Sequence, residues 1–109
     1  MNYDYFKIEV YIPKNYLDIV IEVFRTCDIG HIGNYDCCLS YYLVNSQWRC
    51  LEGTKPFIGE VNEISTEEEI KIEATCKKEQ IDKIIKKIKS IHPYEEPVIN
   101  IIPIYKTSI

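Results

Sequence analysis

His92-Pro93-Tyr94-Glu95-Glu96-Pro97 is the stretch that orders the rest of this chain. Each proline holds its own φ near about −65° and drives the residue before it out of the helical region. A helix running into His92 therefore ends there, and Glu96 is extended. Upstream, Ile81, Ile84, Ile85, Ile88 and Ile91 recur at helical spacing while Lys77, Lys78, Lys83, Lys86, Lys87 and Lys89 fill the other positions. That pattern predicts an amphipathic helix with a solvated lysine face. Downstream, Val98 to Tyr105 is apolar on both faces apart from Asn100, which predicts a last strand that is central or covered by a neighbouring subunit. Pro103 marks an end, an edge or a bulge in it. The turn itself holds an imidazole, a phenol and two carboxylates, the inventory of a small polar site or of a capped helix end.

Before that helix, Ile70, Ile72, Ala74 and Cys76 alternate with Glu69, Lys71, Glu73 and Thr75, a half-buried strand opened by the acidic run Glu67-Glu68-Glu69. The run reads as a solvated edge that discourages strand-to-strand association. Asp36 to Val44 is rich in β-formers, Asn45-Ser46 suits a hairpin turn, and 47–51 is a short strand leading into the glycine- and proline-bearing loop 52–60. At the start, Phe6, Ile8, Val10 and Ile12 alternate with Lys7, Glu9 and Tyr11; Pro13 stops the strand. Leu17, Val20, Ile21, Phe24 and Cys27 then make a helical stripe, and Gly30 suits its C-cap or a tight turn. Gly30-His31-Ile32-Gly33-Asn34-Tyr35 is the second unusual stretch, with two glycines that let the backbone bend and approach its neighbours closely.

The order is β-α-β-β-β-α-β. Setting aside 47–51 as an extra β-hairpin leaves βαββαβ, a ferredoxin-like α+β sandwich with both helices on one sheet face. Residues 1–109 form a single domain with one modest core. No third layer is left to cover the other face, so oligomerisation is the economical way to do it.

Composition narrows the function. A formal net charge of −4 argues against nucleic acid as a partner. No secretory leader is recognisable and no apolar run approaches the roughly eighteen residues of a membrane span, so the chain reads as cytoplasmic. Cys27, Cys37, Cys38, Cys50 and Cys76 include no C-x-x-C spacing and read as structural thiols, with Cys37-Cys38 in a strand where the two point to opposite faces.

Gly30-His31-Ile32-Gly33-Asn34-Tyr35 with Cys38, then Pro56-Phe57-Ile58-Gly59-Glu60, then His92-Pro93-Tyr94-Glu95-Glu96-Pro97 resemble the signatures of the YqfO-like domain, an insert of Nif-three-like dinuclear-metal proteins that also occurs free-standing. Ile72-Glu73 also matches. The resemblance runs from Tyr5 to Tyr105 and implies a PII/CutA-like fold assembled as trimers through the sheets, here free-standing. It carries no catalytic residues over, since the metal ligands of the full-length proteins lie in flanking halves. Ser46 to Glu52 departs from the family's hairpin.

Three functions follow. The first is a regulatory ligand- or metal-sensing homotrimer. Its ligand residues would be Gly30, His31, Gly33, Asn34, Tyr35 and Tyr94, and its metal ligands His31, His92, Glu95 and Glu96. It assumes two helices running roughly parallel, so that loops 28–35 and 90–97 leave the same end of the sheet and suit zinc or copper. The second is an assembly module whose contacts are exposed tyrosines, Trp48 and loop 52–60, with a dinuclear-metal protein as a possible partner. The third is a metal-dependent hydrolase with Glu95 or Glu96 as base, the weakest because no G-x-S-x-G, P-loop or H-E-x-x-H motif is present.

Overall fold

The computed structural model describes residues 2–109. Four strands, β1 (Tyr5–Pro13), β2 (Ser40–Arg49), β3 (Ile64–Lys77) and β4 (Ile99–Pro103), alternate with α1 (Leu17–Thr26) and α2 (Ile81–Ile91). The strands form one antiparallel sheet in the order β2-β3-β1-β4. Both helices pack on one face of it, the ferredoxin-like sandwich that the alternating and helical patterns predict.

The core follows from those two periods. Ile8, Val10 and Ile12 of β1 and Ile72 of β3 meet Val20 and Phe24 of α1 and Ile84 and Ile88 of α2, all fully buried. The opposite sheet face carries a ladder of charge in place of an apolar stripe. Lys71 Nζ lies 3.0 Å from Glu9, and Lys7 Nζ lies 3.0 Å from Glu73 and 3.5 Å from Glu9.

The end of α1 is a Schellman closure. Asp28 takes the left-handed position with φ 55°, Ile29 N–H donates to the Phe24 carbonyl at 2.9 Å, and Asp28 N–H donates to Arg25 at 3.1 Å. Asp28 therefore takes the capping role expected of Gly30. Gly30, with φ 81°, is held between two backbones: its N–H donates to Thr75 O and its carbonyl accepts from Cys38 N–H, each at 3.0 Å.

Four local expectations are corrected. Asn45-Ser46 is not a turn; β2 runs straight through it, pairing Asn45 with Glu68 and Ser46 with Glu67. The expected extra hairpin is absent: 47–49 continue β2, and the sheet is lengthened instead by an overhang in which residues 64–68 of β3 pair with β2 alone, beyond the reach of β1. Cys37-Cys38 precedes β2, and Cys37 has φ 57°, which a strand does not allow. Of the two places expected for β4 the central one is overturned: it is an edge strand ending at Pro103, and within one chain its apolar Ile102 is exposed.

The helices also run antiparallel, which decides where the loops go. β1 and β3 are antiparallel, and each helix folds back along the strand before it. Gln80 at the start of α2 donates from Nε2 to Asp28 O at 2.8 Å, just past the end of α1. The two αβ loops accordingly leave opposite ends of the sheet.

Candidate functional site

The His92 end is built from contacts that leave no freedom in the imidazole. Nε2–H donates to Tyr11 O at 2.7 Å, and Nδ1 accepts the N–H of Tyr94 at 3.1 Å. A carbonyl can only accept and an amide N–H can only donate, so the ring is the neutral Nε2–H tautomer. Burial pushes its pKa below the ordinary value, against a smaller opposing pull from Tyr11 O and the Glu69 carboxylate.

Pinned in this way, the turn places the Tyr94 ring 4.8 Å from His92, 5.9 Å from Trp48 and 6.1 Å from Phe57. Trp48 stands on the β2 overhang and donates its indole N–H to Ile58 O at 3.3 Å. Glu95 accepts the backbone N–H of Lys55 at 3.2 Å, tying loop 50–58 to the turn. Overhang, loop and turn together enclose a pocket of about 520 Å³. Glu69, only 4% exposed, lines it beside Tyr94, Glu95 and Glu96, and Arg49 is the one cation among the lining residues. The Tyr94 hydroxyl is buried and faces the Glu69 carboxylate without reaching hydrogen-bond geometry. Burial, with that carboxylate second, drives its pKa upward, so the phenol stays protonated.

The His31 end has the opposite electrostatics. Nδ1 lies 3.0 Å from the Asp28 carboxylate and Nε2 lies 3.0 Å from Gly33 O, so both nitrogens donate. Asp28 raises the His31 pKa. Gly33 and Asn34 turn the chain tightly, with Ile32 and Tyr35 exchanging backbone hydrogen bonds of 2.8 and 2.9 Å; Tyr35 is exposed.

The expected single site therefore divides in two. Gly30, His31, Gly33, Asn34 and Tyr35 lie at the Tyr5–Lys77 end of the sheet, and His92, Tyr94, Glu95 and Glu96 at the Tyr11–Lys71 end. Tyr5 to Tyr11 is six residues of strand, about 20 Å. His31 and His92 do not meet within one chain, because antiparallel helices send their C-termini to opposite ends. Both imidazoles have both nitrogens engaged, and among the described residues no three His, Cys, Asp or Glu side chains gather to hold a metal ion. Sequence reading missed Glu69, whose alternation matches that of exposed neighbours; only its register opposite Pro13, next to the turn, marks it. Trp48 and the 52–60 loop, which the sequence offers as assembly contacts, line this pocket.

The two histidines give opposite pH dependences. His92 has a folded pKa below the unfolded value of about 6.5, so its contribution is present above that pH and lost as pH falls below it. His31, with a raised pKa, contributes below about 6.5 and loses its contribution as pH rises through the raised value; full exposure keeps that effect small and salt-sensitive. Urea midpoints from pH 5 to 8 should show His31→Ala flattening only the alkaline arm. An unchanged alkaline arm at low salt would contradict the assignment.

The family model described as CutA1 divalent ion tolerance protein matches residues 60–108. Proteins named GTP cyclohydrolase 1 type 2 homolog are similar to nearly the whole chain. The Bacillus subtilis protein is 35% identical over 101 residues, 93% of this chain and 27% of its own length. The Halalkalibacterium halodurans protein is 34% identical over 99 residues, 91% of this chain and 27% of its own. The chain thus spans about a quarter of the curated relatives it matches. A Bacillus cereus protein related to NIF3 superposes with a TM-score of 0.83 at 25% identity, over 95% of this chain and 26% of that one. CutA1 from Shewanella sp. SIB1 superposes at 0.74 with 16% identity, over 98% and 87% of the two chains, a likeness of fold alone.

Proposed function

Because the chain is a YqfO-like domain of CutA-like fold, we propose that it is a small regulatory module that binds a ligand in the Trp48–Phe57–Tyr94 pocket. The observation that carries this reading is the pocket itself. A buried carboxylate and an unpartnered phenol open into an aromatic enclosure of about 520 Å³, a size ordinary for small-molecule sites. Three separate segments converge to build it.

A cytoplasmic homotrimer is the assembly we infer. Its support is the uncovered sheet face and the two free edges, β2 and β4. A dinuclear-metal protein as partner is supported by relatives that carry this domain within a chain about four times its length. A divalent ion is what the matched family's name suggests, and zinc or copper the form expected from the sequence, but the donors do not fit it, since neither imidazole has a free nitrogen and among the described residues no three His, Cys, Asp or Glu side chains gather to hold one. A metal shared between subunits is the form in which the idea survives.

Native mass spectrometry of untagged protein purified without chelator tests the assembly and the metal together. The expected result is a trimer without stoichiometric metal. A monomer would overturn the assembly, and one zinc or copper per subunit would overturn the reading of the donors.

A further inference from the structure

We propose that Cys37 and Cys38, at the entry to β2, form a chelating dithiol for a trivalent thiophile, arsenic(III) or antimony(III). Of the five cysteines, Cys27, Cys50 and Cys76 are buried, and burial pushes the Cys76 thiol up to about 11. Buried thiols in apolar surroundings are inert toward a reagent in solution. Cys37 is exposed, Cys38 is half-buried, and neither is in a disulfide. The thiols that solvent reaches are therefore two neighbours in sequence.

Backbone geometry decides what such neighbours can do. In an extended strand consecutive side chains point to opposite faces, so one centre cannot reach both. Cys37 leaves that regime: its φ is 57°, and β2 begins only at Ser40. The left-handed residue breaks the alternation and lifts the objection that a strand raises to joint ligation. The bend is also held in place. Cys38 N–H donates to Gly30 O at 3.0 Å, and the Cys38 thiol lies 3.6 Å from Asp36 O. Desolvation and the Asp36 carboxylate hold the Cys37 pKa above its ordinary value, while the Arg25 guanidinium in the last turn of α1 draws it down. The pair thus stands toward α1, on the helix side of the sheet, and assembly through the open face covers the other side.

Donor number selects the ligand class. Structural zinc asks for about four donors, and among the described residues no three His, Cys, Asp or Glu side chains gather. An internal disulfide fits no better. Adjacent Cα atoms are about 3.8 Å apart, below the roughly 4.4–6.8 Å that an unstrained disulfide spans, so the pair stays a dithiol. The same short span suits a pyramidal centre that holds two sulfurs close to a right angle, and soft sulfur donors favour a soft centre. The raised Cys37 pKa keeps that thiol protonated at neutral pH, and the exchange uses its proton. An organoarsenic oxide, R–As=O, and two S–H groups give two As–S bonds and one water; arsenic stays trivalent throughout.

Full-length protein, reduced and then freed of reductant, would be treated with one equivalent of phenylarsine oxide per subunit and weighed both native and denatured. The expected product is one phenylarsenic group per chain, gained with the loss of one water. Cys37→Ser and Cys38→Ser should each weaken its retention against competing ethanedithiol at least about a hundredfold, because a lone thiol loses the second, intramolecular bond. Cys76→Ala should leave retention unchanged. Should Cys38→Ser fail to fold, Cys37→Ser at its exposed position carries the comparison. Retention unchanged in the serine variants, or two chains joined through one arsenic, would overturn the pairing. Zinc chloride should give no stoichiometric adduct, and a zinc ion held only when both thiols are present would overturn the ligand class. A native oligomer that stays unreactive while the urea-unfolded chain takes the group would overturn the pair as a binding site.

Discussion

Gly30→Ala should lower the melting temperature by roughly 20 °C, the largest effect expected of any single methyl group in this chain. An added Cβ at Gly30 would lie 2.1 Å from the carbonyl oxygen of Cys38 and 2.9 Å from its carbon, contacts that cannot exist. The obstacle is backbone, and it is held in place: Cys38 N–H is bound to Gly30 O while Gly30 N–H is bound to Thr75 O. Relief requires the entry to β2 to move off, breaking those bonds at about 1 kcal/mol each. The left-handed φ of 81° adds about 1 kcal/mol or more for an L side chain. The sum is about 3 kcal/mol or more. Gly33→Ala is the matched control, with φ 57° and nothing within 4 Å of its Cβ, so it carries only the conformational term. Thermal unfolding followed by circular dichroism separates them. A Gly30 variant melting within a few degrees of the Gly33 variant would show that the close approach is not what that glycine is for.

The same loop shows what sequence can and cannot disclose. Two glycines around His31 announce a sharp bend, and the bend is there. Which glycine faces another backbone is a matter of tertiary contact, set by β3 lying beside the loop through Thr75. The strand and helix periods are local properties, and β1, α1, the core half of β3 and α2 were legible from them down to the buried residues. The turn expected at Asn45-Ser46 failed because β2 and β3 pair over ten positions and override a weak local preference. The site was half legible for a related reason. The His-Pro-Tyr-Glu-Glu-Pro turn stands out by composition, and it does build the pocket with Trp48 and Phe57. Its union with the His31 loop rested on helix direction, and an antiparallel β1–β3 pair reverses that direction. A strand pairing, not a motif, decided which residues could meet.

His92→Ala should destabilise the fold by about 3 kcal/mol, and the reason distinguishes a structural imidazole from a ligating one. The ring ties the turn to β1 across 81 positions of sequence through Tyr11 O, and holds Tyr94 N–H on its other nitrogen. Losing both bonds removes about 2 kcal/mol, and the Tyr11 carbonyl left without this donor, with the space vacated by a ring 8% exposed, adds about 1 kcal/mol more. Gln can reach toward Tyr11 O, and Asn can present an acceptor to Tyr94 N–H, so each should recover part of the loss. The order expected from urea unfolding is wild type, then Gln and Asn, then Ala. Trp48 emission should shift in the Ala variant even without ligand, because Tyr94 stands 5.9 Å away and loses its anchor. A histidine kept to bind metal predicts otherwise: its removal would abolish metal uptake and leave stability almost untouched. An Ala variant within about 1 kcal/mol of wild type would therefore return His92 to the metal site and dissolve the account of how the pocket is held open.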